Sequence, residues 1–262
     1  RWLQYPGAGI DSLVDEGFDL ASLPFAVTTA GTANAVATAE YILGLMLIFA
    51  RKWDEMIRLQ GRREWAMGHE WGALRGFELQ GKTVGIIGLG ATGRRVAQMC
   101  RALSMRVLGL RRTSQTGEAD PDCDQMFDPD HLTDLLGESD FAVLCVPLTP
   151  ATTRLIGIHE LRAMHPNAYL INVARGAVVD ETALIRALRE RWIAGAGLDV
   201  VAEEPLARAN PLWSLPGVVI TPHLSAMTVG YSHRVAALFA ANIERFCNRQ
   251  PLLHRVDPER GY

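Results

Sequence analysis

The sequence predicts a doubly wound α/β fold, and three observations carry that prediction. From Gly81 onward, short apolar runs alternate with helical periods. The runs are near-continuous in apolar residues (GIIG, FAVLCV, YLINV), as suits strands of a parallel sheet buried on both faces. The first of them leads straight into a glycine-rich turn that opens a helical period, the order of a βαβ unit.

Taken in order, strands are predicted at Thr83–Gly88, Arg106–Leu110, Phe141–Val146, Ala168–Val173, Gly195–Val200 and Val218–Thr221. Amphipathic helices are predicted at Thr92–Leu103, His131–Gly137 and Glu181–Arg191, with a last helix from about Val229 to Asn248 and a polar tail after it. The first thirty residues instead alternate short apolar runs with turn signals at Pro6-Gly7-Ala8-Gly9, Glu16-Gly17, Leu23-Pro24 and Ala30-Gly31, around a strand-like Phe25–Thr29. Ala33 to Arg58 contains no Pro and reads as one long helix, apolar nearly all round from Tyr41 to Ala50 and so buried in a core or against another subunit. Gly61 to Gly76 reads as a loop.

Composition narrows the class. With 262 residues, 48% hydrophobic and 21% charged, the chain has the make-up of an ordinary globular protein. A net charge of −3 gives no excess of cations for nucleic acid or an anionic membrane. The apolar stretch Tyr41–Ala50 is shorter than a bilayer span. Cys100, Cys123, Cys145 and Cys247 are far apart without a CxxC pair, which points to a reduced, cytoplasmic chain rather than a disulfide or zinc framework. No metal site is expected: Asp120-Pro-Asp-Cys-Asp reads as a solvated loop, and His69, His131, His159, His165, His233 and His254 fall in no motif. The chain opens Arg-Trp-Leu-Gln-Tyr, as if in mid-strand, so its true N-terminus is expected upstream and Trp2–Gln4 is expected to be an orphan strand.

The turn Gly88-Leu89-Gly90-Ala91-Thr92-Gly93 fits GxGxxG, the dinucleotide fingerprint of a Rossmann domain. Gly88 permits the tight turn, Gly90 lets the backbone approach a pyrophosphate and Gly93 lets the helix pack on the sheet. An acidic residue after the second strand would accept the ribose hydroxyls of NAD. Here Arg111, Arg112 and Thr113 follow Leu110, and no carboxylate appears until Glu118. Two guanidiniums and a hydroxyl suit a 2′-phosphate, so NADP(H) is favoured over NAD(H). The competing reading is a pair of solvated surface arginines.

Three ionisable residues stand at or soon after strand ends: Arg175, Glu204 and His223, separated by 29 and 19 residues, each about one βα unit. Ligands of an open parallel sheet bind beyond the C-terminal ends of its strands, so all three can face one cleft. Together a guanidinium fork, a carboxylate and an imidazole can hold a planar anion and pass a proton near neutral pH.

GKTVGIIGLGATGRRVA, INVARGAVVDETALIRAL, AGLDVVAEEP and TPHLS, in that order, resemble the D-isomer-specific 2-hydroxyacid dehydrogenases. PGAGID and ATAEYILGLMLIFAR resemble that family's substrate loop and long dimer helix. The resemblance implies a Rossmann domain over 33–226, including the dimerisation helix 33–58, and a smaller flavodoxin-like substrate domain, here incomplete, from 1–32 and 227–262. It implies Arg175 as the group on the substrate carboxylate and keto oxygen, His223 as the acid/base and Glu204 as its partner, with Glu203 the alternative. Gln at the glutamate position would instead mark the formate dehydrogenase branch. It also implies substrate contacts from the N–H groups of Ala8 and Gly9, and cofactor contacts from Val146, Pro147, Ala174, Asp199 and His223. The activity implied is hydride transfer between NADP(H) and a small 2-keto acid, glyoxylate or hydroxypyruvate foremost, in a homodimer. Pocket size is expected from Tyr5, the Trp65–Trp71 loop and Ser225–Met227. A non-catalytic, co-repressor-like dinucleotide-binding dimer is the alternative.

Overall fold

The computed structural model describes residues 1–11, 13, 17–20, 22–258 and 260. Glu16, half of one predicted turn signal, lies outside the described residues, as do Gly261 and Tyr262 of the tail. Near the start, β1 (Trp2–Gln4) and β2 (Ala26–Thr28) pair in parallel, Trp2 opposite Ala26. Trp2–Gln4 is therefore no orphan. Its Trp2 ring stacks near Phe239 and Phe246, at centroid distances of 5.4 and 5.8 Å, and two strands alone are marginal without such packing.

A single helix over Ala33–Arg58 does not form. α1 (Ala35–Ala50) and α2 (Trp53–Arg62) part at Lys52, whose φ is 57°. The cause is the returning chain. Phe77 N–H donates to the Ala50 carbonyl at 2.8 Å, and a Cβ on Gly76 would lie 2.3 Å from that oxygen. The acceptor that the next helical turn needs is already taken. The stretch expected to be loop is itself partly helical, with a 3-10 turn at Gly68–Gly72. With the 3-10 turn that precedes α1, the apolar helical run is Gly31–Ala50, 20 residues, long and apolar enough to cross a membrane by length and composition. Its Ile42, Leu45, Met46 and Phe49 are nonetheless buried against the main sheet.

That sheet consists of β3 (Thr83–Ile87), β4 (Arg106–Leu110), β5 (Gln125–Phe127), β6 (Phe141–Leu144), β7 (Tyr169–Asn172), β8 (Gly195–Leu198) and β9 (Val218–Ile220). All are parallel, in the order β5-β4-β3-β6-β7-β8-β9. The six predicted strands all appear, trimmed by no more than two residues at an end. β5 is additional: at three residues it carries no periodic signal. α1 and α3 (Ala91–Ala102) cover one face. The other is covered by α4 (Leu132–Gly137), α5 (Ile158–Ala163) and α6 (Glu181–Arg189), of which α5 is also unpredicted. The chain order reverses between β3 and β6, which opens the crevice where such sheets bind ligands.

The last helix, α7 (Tyr231–Cys247), packs on the small sheet. Its buried Asn242 amide bonds Gln4 Oε1 at 3.1 Å and both backbone groups of Leu253. The C-terminal segment expected to be a polar tail therefore docks: Val256 is buried and its N–H donates to Val27 O at 2.9 Å.

Candidate active site

The turn after β3 has the geometry a dinucleotide needs. Gly88 has φ +104°, and a Cβ there would sit 2.6 Å from the Cys145 carbonyl carbon and 2.8 Å from Val146 N. Only glycine lets the ends of β3 and β6 meet this closely. A Cβ on Gly93 would lie 2.3 Å from Gly88 O, so α3 packs directly on the turn. Gly90, by contrast, faces open space. It caps α3 without a side-chain hydrogen bond, and the first turn holds no acidic residue, so the N–H groups of Ala91, Thr92 and Gly93 are an anion cradle. These residues fit a pyrophosphate, and the Val146 backbone borders Gly88.

Beyond β7, β8 and β9 the three predicted ionisable residues converge. Gly176, next to Arg175, is pressed against the Val201–Ala202 backbone, where a Cβ would fall 1.8 Å from Val201 O. This joins the β7 and β8 loops. Glu204 Oε2 lies 2.8 Å from His223 Nδ1, and its Oε1 accepts the Val201 N–H at 3.2 Å. Glu204, not Glu203, meets the ring. A carboxylate only accepts, so Nδ1 carries the proton and Nε2 is left for the cleft.

His223 itself sits in the left-handed region at φ 56°. Asp199 holds it there. The Asp199 carbonyl accepts the His223 N–H at 2.8 Å. The carboxylate, only 1% exposed, accepts from Leu224 N and Ser225 N, both at 2.9 Å, and from Thr221 Oγ1 at 2.7 Å. Thr221 in turn accepts from the Tyr41 hydroxyl on α1. Burial pushes that phenol up to about 12, so it stays a donor. Asp199, assigned by resemblance to the nicotinamide, thus first serves the His223 loop.

Arg175 has a partner that sequence reasoning passes over. Its Nε lies 2.8 and 3.0 Å from the two oxygens of Asp11, and Nη1 donates to Ala174 O at 2.7 Å. The remaining N–H groups lie on the Nη1 and Nη2 end. Nη2 rests against the turn around Gly9, where a Cβ would fall 1.9 Å away. The Ala8 and Gly9 N–H groups make no hydrogen bond among the described residues. Burial alone would raise the Asp11 carboxyl, but the bond to Arg175 and its charge, with a smaller effect of His223, hold it below the usual carboxylate range. Asp11 therefore senses both sides of the cleft. Its only sequence signal is its place two residues after Gly9 in PGAGID.

At the outer corner, Arg111 is ion-paired with Glu118, while Arg112 and Thr113 are exposed. The acidic stretch nearby is no solvated loop. Arg94 grips Asp120 at 2.9 Å and Asp122 at 2.9 Å, Asp124 accepts Val107 N at 2.7 Å, and Cys123 is buried. Among the described residues no group of three or more His, Cys, Asp or Glu could hold a metal ion.

The family description "D-isomer specific 2-hydroxyacid dehydrogenase, NAD binding domain" matches residues 43–225, the main sheet and its helices. The chain belongs to this family of oxidoreductases. A glyoxylate reductase of Thermococcus gammatolerans is 40% identical over 247 residues, 93% of this chain and 71% of its own length. One from Pyrococcus furiosus is 41% identical over 215 residues, 80% of this chain and 62% of its own length. The crystal structure of a D-isomer specific 2-hydroxyacid dehydrogenase from Xanthobacter autotrophicus, in complex with NADPH and MES, superposes with a TM-score of 0.85. At 33% identity it covers all of this chain and 79% of that one. The family supports nicotinamide dinucleotide binding, and these relatives do not favour the non-catalytic reading.

Proposed function

We propose that the protein reduces a small 2-keto acid, glyoxylate or hydroxypyruvate, to the D-2-hydroxy acid with NADP(H), as a cytoplasmic homodimer. One observation carries this reading: Arg175 and the His223–Glu204 pair meet beyond adjacent strand ends, beside the cradle of Gly88–Gly93. Bound there, the dinucleotide would supply the hydride to the carbonyl carbon. Arg175, through its Nη end, would hold the substrate carboxylate and stabilise the negative charge gathering on the keto oxygen. The Ala8 and Gly9 N–H groups would take the other carboxylate oxygen. His223 Nε2 would give the keto oxygen its proton, and the Glu204 carboxylate, 2.8 Å from Nδ1, would orient the ring for that transfer. In reverse, neutral His223 accepts the hydroxyl proton.

The relatives named glyoxylate reductase support the substrate class. Arg111, Arg112 and Thr113 support the phosphorylated cofactor, with Ala174 and Asp199 at its nicotinamide end. The arm around α2 supports the dimer: Ile57 is 62% and Trp65 88% exposed, and Trp53, Met67 and Trp71 are exposed beside them, an apolar surface suited to a second copy. Four unpaired cysteines suit a reducing compartment.

The test is NADPH oxidation on addition of glyoxylate or hydroxypyruvate, with NADH in parallel. Turnover with NADPH preferred is the expected result. Cofactor binding without oxidation by any short 2-keto acid would overturn the assignment.

A further inference from the structure

Arg111 lies where a 2′-phosphate would be read, and the structure has already given it an anion. One Glu118 oxygen is paired with Arg111 Nη2, and the other accepts the Gln115 N–H at 2.9 Å. Gly117 N donates to Met126 O at 2.9 Å, so the loop carrying Glu118 is fixed to β5. In this arrangement Arg111 Nε is buried without a partner among the described residues. The side chain thus adopts a pose that strands one of its own donors in order to reach Glu118. The surroundings add no surplus of positive charge. Arg94 is shared between Asp120 and Asp122, so Arg94, Arg111 and Arg112 face Glu118, Asp120 and Asp122. A corner with as many anions as cations exerts little long-range pull on a phosphate carrying nearly two negative charges.

We propose that Glu118 is a specificity-determining residue: it competes with the cofactor 2′-phosphate for Arg111 and keeps the preference for NADP(H) over NAD(H) small, so the protein uses both. This rests on Arg111 and Arg112 being the phosphate-reading residues. With NAD(H) the Arg111–Glu118 pair stays intact. With NADP(H) either the phosphate draws Arg111 away and leaves a bare carboxylate beside itself, or Arg112 and Thr113 hold it alone. The Gln115 N–H and Arg111 hold the Glu118 carboxyl below the usual range, so it is charged whenever the cofactor binds near neutral pH.

Glu118→Gln removes the charge and keeps an oxygen for Gln115. The readout is the ratio of the dissociation constants for NADH and NADPH, measured by fluorescence titration, because damage to the loop weakens both cofactors alike. That ratio is expected to shift toward NADPH by about tenfold, as for loss of one charge-assisted pair. Adenosine 2′,5′-bisphosphate should tighten with it. Arg111→Gln should shift the ratio the opposite way. An unchanged ratio in Glu118→Gln, with Arg111→Gln selective against NADPH, overturns the role of Glu118 alone. If neither Arg111→Gln nor Arg112→Gln alters NADPH binding, the phosphate is not read here and both readings fall.

Discussion

The two side-chain pairs at the candidate site are built differently. His223 and Glu204 both stand on loops of the main sheet, 19 residues apart, and the pair is complete once β8 and β9 are side by side. Arg175 and Asp11 are 164 residues apart, one on the main sheet and one on the segment packed with β1 and β2. The proton donor is thus assembled by one lobe, whereas the anion-binding cation is oriented by both. Perturbing the small lobe should therefore reach Arg175 before it reaches His223.

Mutations can break this contrast at either end. His223→Gln should have the largest effect, lowering kcat for keto-acid reduction by about a thousandfold, the usual worth of a positioned acid, and weakening NADPH binding far less by titration. Arg175→Lys keeps the charge and loses the fork. Steady-state kinetics should show kcat/KM falling by about a hundredfold, as when an oxyanion donor is removed. Asp11→Asn should act mainly on KM, raising it about tenfold, because a neutral amide holds the guanidinium less firmly. A fall in kcat as large as that of His223→Gln would mean that Asp11 serves the proton donor instead.

The same variant has a stability signature with a definite sign. The Asp11 carboxyl is depressed from its ordinary 3.8 by Arg175, so the pair contributes fully above that value. The contribution disappears as pH falls through the lower folded value. Urea unfolding should then separate Asp11→Asn from wild type at pH 7, and the two curves should draw together toward pH 2.

The smallest effect compares the lobes directly. Burial pushes the thiols of Cys100, Cys123 and Cys145, all in the main-sheet lobe, up to about 12, whereas Cys247 at the end of α7 is exposed. Iodoacetamide at pH 8 should modify Cys247 promptly, counted by intact mass, the half-buried Cys145 more slowly, and Cys100 and Cys123 only as the main sheet opens.

The main sheet was legible in the sequence because strands buried on both faces have no choice about their composition. Gly93 was legible for a related reason, since the close approach it permits, to Gly88 O, lies within one βα unit, whereas Gly88 was legible from its place in GxGxxG alone, its contact being with the distant Cys145–Val146 backbone. The ionisable trio could be found because Arg175, Glu204 and His223 each follow a strand by a few residues, and parallel strands end on one side. What could not be read depends on distant chain meeting chain. The break at Lys52 comes from Phe77 returning to Ala50. The Asp11–Arg175 pair joins the first segment to the seventh strand. Arg111 reads as a free cation until the loop folds Glu118 onto it, and Asp120 reads as solvated until Arg94 reaches it.

Asp199 also ties the position of His223 to one edge of the sheet. Its carboxylate takes N–H groups 25 and 26 residues further along, and a hydroxyl 22 residues away. None of those partners is in place until β9 has docked beside β8. Without β9 beside β8, His223 therefore has no defined position. A chain stalled one strand short would hold a nearly whole nucleotide cradle and no proton donor.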